Sequence, residues 1–176
     1  LENARAESIL IDFTTSSPAL AVEIAGEAAA RKLHALDAPV SGGDLGAREA
    51  RLAVMIGGDQ AAADAPAPLL AAFATHVVVQ GGPGRGQHSN AGNQVLIAST
   101  MIGVCEGLLY GFVAGLDLDA VIRVVSQGAA RCFSLDSYAP RILRGDYEPG
   151  FFIEHFGKDF GIALGEGVPA DAAAGG

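Results

Sequence analysis

Residues 8–38 read SILIDFTTSSPALAVEIAGEAAARKLHALDA. Ser8–Phe13 is a short, Ile-rich apolar run that ends at a Thr/Ser/Pro cluster, the pattern of a fully buried strand. Ser16 and Ser17 before Pro18 mark a helix start. A hydroxyl there accepts from the unpaired amides of the first turn, and proline has no amide to leave unpaired. Ala19–Lys32 continues as a helix with apolar residues at Leu20, Ile24 and Ala28, and Leu33–Ala38 reads as a second strand. Strand, helix, strand at this spacing is a βαβ unit, which implies a parallel sheet.

Beyond that unit the chain turns at Pro39-Val40-Ser41-Gly42-Gly43, and Arg51–Ile56 forms a third strand closed by Gly57-Gly58. Asp59 caps a helix running to about Phe73, broken by Pro66 and Pro68, and His76–Val79 is a fourth short strand. Composition changes at Gly81-Gly82-Pro83-Gly84-Arg85-Gly86. After it the pattern is helical only, over about 87–116, 119–127, 135–143 and 155–164. The fold class expected is therefore α/β followed by all-α, with the boundary near residue 81. The closing segment Gly165–Gly176 is rich in small residues and is expected to fray.

Composition bounds the rest. The 176 residues are 50% hydrophobic, ample for a packed core, which excludes a disordered chain. Eleven Lys and Arg against twenty Asp and Glu leave a net charge of −9. With no basic run, a nucleic-acid partner is not expected, because phosphate binding needs clustered cations. Cys105 and Cys132 cannot make a disulfide framework. His34, His76, His88 and His155 are scattered without metal-ligand spacing, so no metal site is expected. With no signal-peptide pattern at the N-terminus, a cytoplasmic setting is expected. Val95–Leu116 is long enough to span a bilayer, but Glu106 lies near its middle, where a charge costs about 2.5–3.5 kcal/mol. It is read as a helix buried by protein on most faces, with no membrane partner.

Several stretches point further. Asp12-Phe13-Thr14-Thr15-Ser16-Ser17-Pro18 resembles the D-x-[ST]-T-x-x-P motif of the β-hydroxyacid dehydrogenases, the family of 3-hydroxyisobutyrate dehydrogenase, 2-hydroxy-3-oxopropionate reductase and 6-phosphogluconate dehydrogenase. Asp37-Ala38-Pro39-Val40-Ser41-Gly42-Gly43 is similar to that family's substrate loop. The stretch from Gly84-Arg85-Gly86 to Asn93-Gln94 resembles its catalytic helix start, and Lys158–Leu164 its late K-D-L-G-I-A-L segment. Together the four cover residues 9–164.

The resemblance implies a fold, a reaction and a site. Residues 1–81 would be part of a Rossmann-like NAD(P)-binding domain with a parallel sheet, and residues 82–176 the helical dehydrogenase domain. Hydride would pass between a nicotinamide cofactor, NAD or NADP, and a small 3-hydroxy acid or its semialdehyde. Thr15 would contact the cofactor, Lys158 would approach the cofactor or the carboxylate as a positive charge, Ser41, Gly42 and Gly43 would hold the substrate carboxylate, and Asn93 and Gln94 would hydrogen-bond the substrate. The family's catalytic lysine would stand at residue 90, where this chain has Asn90. A lysine ammonium exchanges a proton with the reacting oxygen; an amide donates a hydrogen bond but exchanges no proton at neutral pH. His88, two residues away, faces another side of the helix.

The family's GxGxxG turn, which seats a pyrophosphate on a helix N-terminus, does not precede Ser8. The sequence thus reads as a fragment lacking that half. Two functions stay open: a dehydrogenase of this family, or a catalytically silent oligomerisation module. A homo-oligomer is expected either way, since the apolar helix needs cover.

Overall fold

The computed structural model describes residues 1–166; the expected fraying of the closing segment lies, past Glu166, outside the described residues. The chain divides into two compact units. The first comprises Leu1–Asn93 with the segment from Gly150 onward, and the second Gln94–Pro149.

In the first unit β1 (Ile9–Asp12) leads into α1 (Pro18–Ala30) and back to β2 (His34–Asp37). Ser17 caps α1, its side chain accepting from the Leu20 amide, and Pro18 occupies the first turn as its lack of an amide allows. The helix buries Ala21 and Ala28. Leu20 is 43% exposed, so the packing stripe is rotated from the one its larger side chains suggest. Small residues bring the helix backbone close to the sheet. β1 and β2 are parallel, Ile9 opposite His34 through Asp12 opposite Asp37, as the βαβ reading requires.

The sheet as a whole is mixed rather than parallel. β3 (Val40–Ser41) and α2 (Gly43–Arg48) occupy the segment read as a plain turn, and the chain then returns as β4 (Leu52–Gly57). β4 runs antiparallel to β3 and β2. Between β3 and β4 the connection is shorter than the dozen or more residues that a parallel crossover needs, and α2 fills most of it. After α3 (Gln60–Asp64) and α4 (Ala67–Leu70), β5 (Ala74–Gly81) pairs parallel with β4. Asp59 caps α3 and Pro66 separates α3 from α4. On β4, Leu52, Val54 and Ile56 enter the core with Leu36, Ala38 and Leu70, the alternation of a strand with one face more deeply buried.

The 29-residue α5 (Arg85–Val113) begins in the first unit, which is why the unit boundary falls at Asn93/Gln94 and not at the composition change near 81. α9 (Ile153–Gly165) belongs to the first unit too.

In the second unit α6 (Leu118–Val125), α7 (Phe133–Ser137) and α8 (Ala139–Leu143) pack with α5. Val104 and Leu108 share a core with Ile122, Leu135 and Ala139. The expected single helix over 135–143 is two, divided at Tyr138 ahead of Pro140. The expectation that α5 is buried on most faces is corrected. Its most apolar window is 17% buried, although by length and composition the helix could cross a membrane. Only a narrow stripe meets α6–α8, while Leu109, Tyr110, Phe112 and Val113 are each more than 60% exposed. Arg131 lines an apolar cavity of about 550 Å³ beside Gly103, Gly107 and Ile122, and pairs with Asp136 at 2.9 Å. Arg141 grips Asp146 with two nitrogens, at 2.8 and 3.0 Å.

Candidate functional site

The site is built from the end of β2. Asp37 is 5% exposed, and its carboxylate meets the first turn of α5: Oδ1 accepts from the Gly84 amide at 2.8 Å and Oδ2 from the Gln87 amide at 2.9 Å. A helix start presents unpaired amides and a positive dipole end, and a carboxylate satisfies both. The helix comes this close because two residues lack a side chain. Gly57 sits opposite Asp37 across the strands, where a Cβ would lie 2.4 Å from Asp37 Oδ1. A Cβ on Gly86 would lie 2.4 Å from the Met55 carbonyl oxygen and 2.7 Å from that of Asp37.

Fastened there, α5 presents Gln87, Asn90 and Asn93 at three-residue spacing, which keeps them on neighbouring positions of the helix surface. Gln87 and Asn90 are almost fully buried, at 1% and 2% exposure. Gln87 donates from Nε2 to the Thr14 carbonyl at 2.8 Å and accepts from the Ser16 amide at 3.2 Å. Asn90 Nδ2 donates to the Thr15 hydroxyl at 3.2 Å. The loop is held from its other end as well: Asp12 Oδ1 accepts from the Thr14 amide at 2.9 Å and from its hydroxyl at 2.5 Å.

From α9, Lys158 Nζ donates to the Thr15 carbonyl at 2.7 Å and pairs with the Asp159 carboxylate at 3.1 Å. Asp159 is 3% exposed, so a fixed negative charge stands beside the ammonium. One turn further along α5, Asn93 Oδ1 accepts from the Ser41 hydroxyl at 3.4 Å. Gly42 and Gly43 follow with φ of +131° and +64°, in the positive-φ region that favours glycine.

Of the residues singled out in the sequence, Thr15, Asn90 and Lys158 therefore meet at one loop. Ser41, with Gly42 and Gly43 behind it, meets Asn93 on the same helix. Gln94 is buried and begins the second unit. His88 is exposed and lines a separate cavity of about 270 Å³ with Arg85 and Pro18, in keeping with its place on another side of the helix. Sequence reasoning gave no role to Asp37 or Gln87. The available signal was an acidic residue closing a buried strand, between Leu36 and Ala38, and a glutamine directly after Gly86.

Two family models cover nearly the whole chain. Residues 1–82 match the NAD-binding domain of 6-phosphogluconate dehydrogenase, and residues 84–174 match the model described as NAD-binding of NADP-dependent 3-hydroxyisobutyrate dehydrogenase. An uncharacterized oxidoreductase of Bacillus subtilis is 47% identical over 94% of this chain and 58% of its own length. A probable mitochondrial 3-hydroxyisobutyrate dehydrogenase-like protein of Arabidopsis thaliana is 45% identical over 94% of this chain and 49% of its own. Among solved structures, 3-hydroxyisobutyrate dehydrogenase of Mycobacterium tuberculosis with L-serine superposes with a TM-score of 0.83 at 30% identity, covering 98% of this chain and 60% of that one. The chain thus spans about half the length of the curated relatives it matches.

Proposed function

Because the chain belongs to the 3-hydroxyisobutyrate dehydrogenase family, with the NAD-binding region and helical domain of that family, we propose that it serves an NAD(P)-dependent oxidoreductase acting on a small 3-hydroxy acid or the matching semialdehyde. The observation that carries this reading is the loop at Thr15, held by Asn90 at its hydroxyl and by Lys158 at its carbonyl. The residues present suit a nicotinamide nucleotide. Ser16 Oγ is buried without a hydrogen-bond partner among the described residues, a group that a polar ligand satisfies. Lys158 brings a positive charge to the same loop.

Nicotinamide, when bound, accepts or returns hydride. The chain's own part is to bind and orient. Thr15 and Lys158 face the cofactor. The Ser41 hydroxyl and the backbone at Gly42 and Gly43 take the substrate carboxylate, with Asn93 already bonded to Ser41. Asn93 and Gln94 hydrogen-bond the substrate. The M. tuberculosis relative was solved with L-serine, a small carboxylic acid bearing a 3-hydroxyl, which favours this substrate class.

Residue 90 supports a second reading. Its side chain is an amide already engaged with Thr15, so it orients but moves no proton. Such a chain is catalytically weak or silent and acts chiefly through assembly. The exposed apolar side of α5 favours a second copy of the chain as its cover.

The experiment that separates the readings is Asn90→Lys. A positioned general acid–base group contributes about 10²–10⁴-fold in rate. In a full-length version supplied with its nucleotide half, if the protein is a dehydrogenase lacking its proton carrier, the substitution raises kcat by that range. The new ammonium, close to that of Lys158, then titrates below the ordinary lysine value and imposes its own pH profile. An unchanged kcat and pH profile removes residue 90 from the reaction.

A further inference from the structure

We propose that Gln87 is a positioning residue that sets the Thr14–Ser16 loop; that this loop faces a cofactor rests on the reading above. The side-chain amide of Gln87 spans Thr15 like a neighbouring strand, giving a hydrogen to the carbonyl before it and taking one from the amide after it, at 2.8 and 3.2 Å. Its orientation is fixed by its partners. The Thr14 carbonyl can only accept and the Ser16 amide can only donate, so a flipped amide would set donor against donor and acceptor against acceptor.

The side chain is itself immobilised. Gln87 is 1% exposed, and its backbone amide is held by the Asp37 carboxylate at 2.9 Å. Asp37 therefore fixes the helix start, Gln87 carries that position to the loop, and the loop offers Thr15 to Asn90 and Lys158. Asp12 steadies Thr14 but makes no bond to the Thr15 peptide on the Ser16 side. Of that peptide, Lys158 holds the carbonyl and Gln87 holds the amide.

A hydrophobe of equal length separates hydrogen bonding from filling of space. In Gln87→Met the volume is kept and both bonds are lost. Amide exchange at Ser16, followed by NMR, is expected to speed up about tenfold, the value of one to two ordinary hydrogen bonds. The side-chain amide signal of Asn90 should shift as Thr15 drifts.

Gln87→Glu supplies the second measurement. As a carboxylate, the introduced group is repelled by the Thr14 carbonyl and pushed out of line with the Ser16 amide, so Ser16 loses protection. Protonated, it donates to Thr14 and restores the pair. The charged groups facing it are Asp37 at the Gln87 backbone, Asp12 through Thr14 and Lys158 through Thr15. Burial beside a carbonyl raises its midpoint above that of a free glutamate. Wild-type Ser16 protection should therefore return on acidification in Gln87→Glu and not in Gln87→Met.

A Gln87→Met protein that keeps wild-type Ser16 exchange and an unmoved Asn90 signal overturns the proposal, and so does a Gln87→Glu protein without acid recovery. The cofactor reading is tested apart from this, by NADPH titration of Thr15→Val, which leaves both Gln87 bonds in place. Unchanged affinity there, together with fast Ser16 exchange in Gln87→Met, removes the cofactor reading and upholds the role of Gln87.

Discussion

At Gly86 the start of α5 lies close against the sheet, and replacing it with alanine tests that account. A Cβ at this position would stand 2.4 Å from the Met55 carbonyl oxygen, 2.7 Å from the Asp37 carbonyl oxygen and 2.8 Å from the Gly57 nitrogen. All three are backbone atoms of β2 and β4, so no side chain can swing aside. The first turn of α5 must lift away, and the bonds from Asp37 to the Gly84 and Gln87 amides lengthen with it. Overpacking of a dense site costs about 1–3 kcal/mol, and weakening two hydrogen bonds to a buried carboxylate adds about 1–3 more. We expect Gly86→Ala to destabilise by about 2–6 kcal/mol in urea unfolding followed by circular dichroism. For a chain of this size that is a fall in Tm of roughly 5–15 °C. The control is Gly92→Ala, on the same helix, where a Cβ meets nothing within 4 Å. There alanine's better helix propensity should stabilise by about 0.5–1 kcal/mol. If both variants unfold together, or Gly86→Ala matches the parent, the close approach of α5 to the sheet is wrong.

Asp37→Ala leaves two amides at the start of α5 without their acceptor and should cost about 2–4 kcal/mol, with Asp37→Asn, which keeps one acceptor oxygen, near half of that in the same unfolding assay. Hydrogen bonding from Arg141, helped by the Glu148 amide, lowers the carboxyl of Asp146 from 3.8 to about 2. The folded midpoint lies below the unfolded one, so its contribution is complete above pH 3.8 and is lost as pH falls toward about 2. An NMR titration of Arg141→Met should return the Asp146 midpoint toward 3.8, and a midpoint that stays put refutes the pairing. Light scattering at micromolar concentration should give a dimer or larger, shifted toward monomer by Leu109→Asp with Phe112→Asp, two side chains 62% and 71% exposed on α5. A monodisperse parent monomer ends that expectation.

The amino-acid sequence by itself determined what depends on near neighbours. Ser17 and Pro18 start α1, Asp59 and Pro66 bound α3, and the apolar run at Ile9–Asp12 is a strand, because capping, proline chemistry and a short β-branched run act within a few residues. The motif residues Thr15, Ser41, Asn90, Asn93 and Lys158 stand out in the sequence by their resemblance to a family, without any sign of which touches which. Tertiary structure alone decided the rest. The antiparallel return of β4 was hidden because α2 and β3 are too short to leave a periodic signal. The depth of α5 was misjudged because an apolar helix reads the same whether its own chain or another covers it. The roles of Asp37 and Gln87 rest on bonds to residues 47 to 73 positions away in the chain. No local pattern encodes such pairs; they exist only once the sheet has brought Gly57 and Gly86 together and left room for a helix to start against a buried carboxylate.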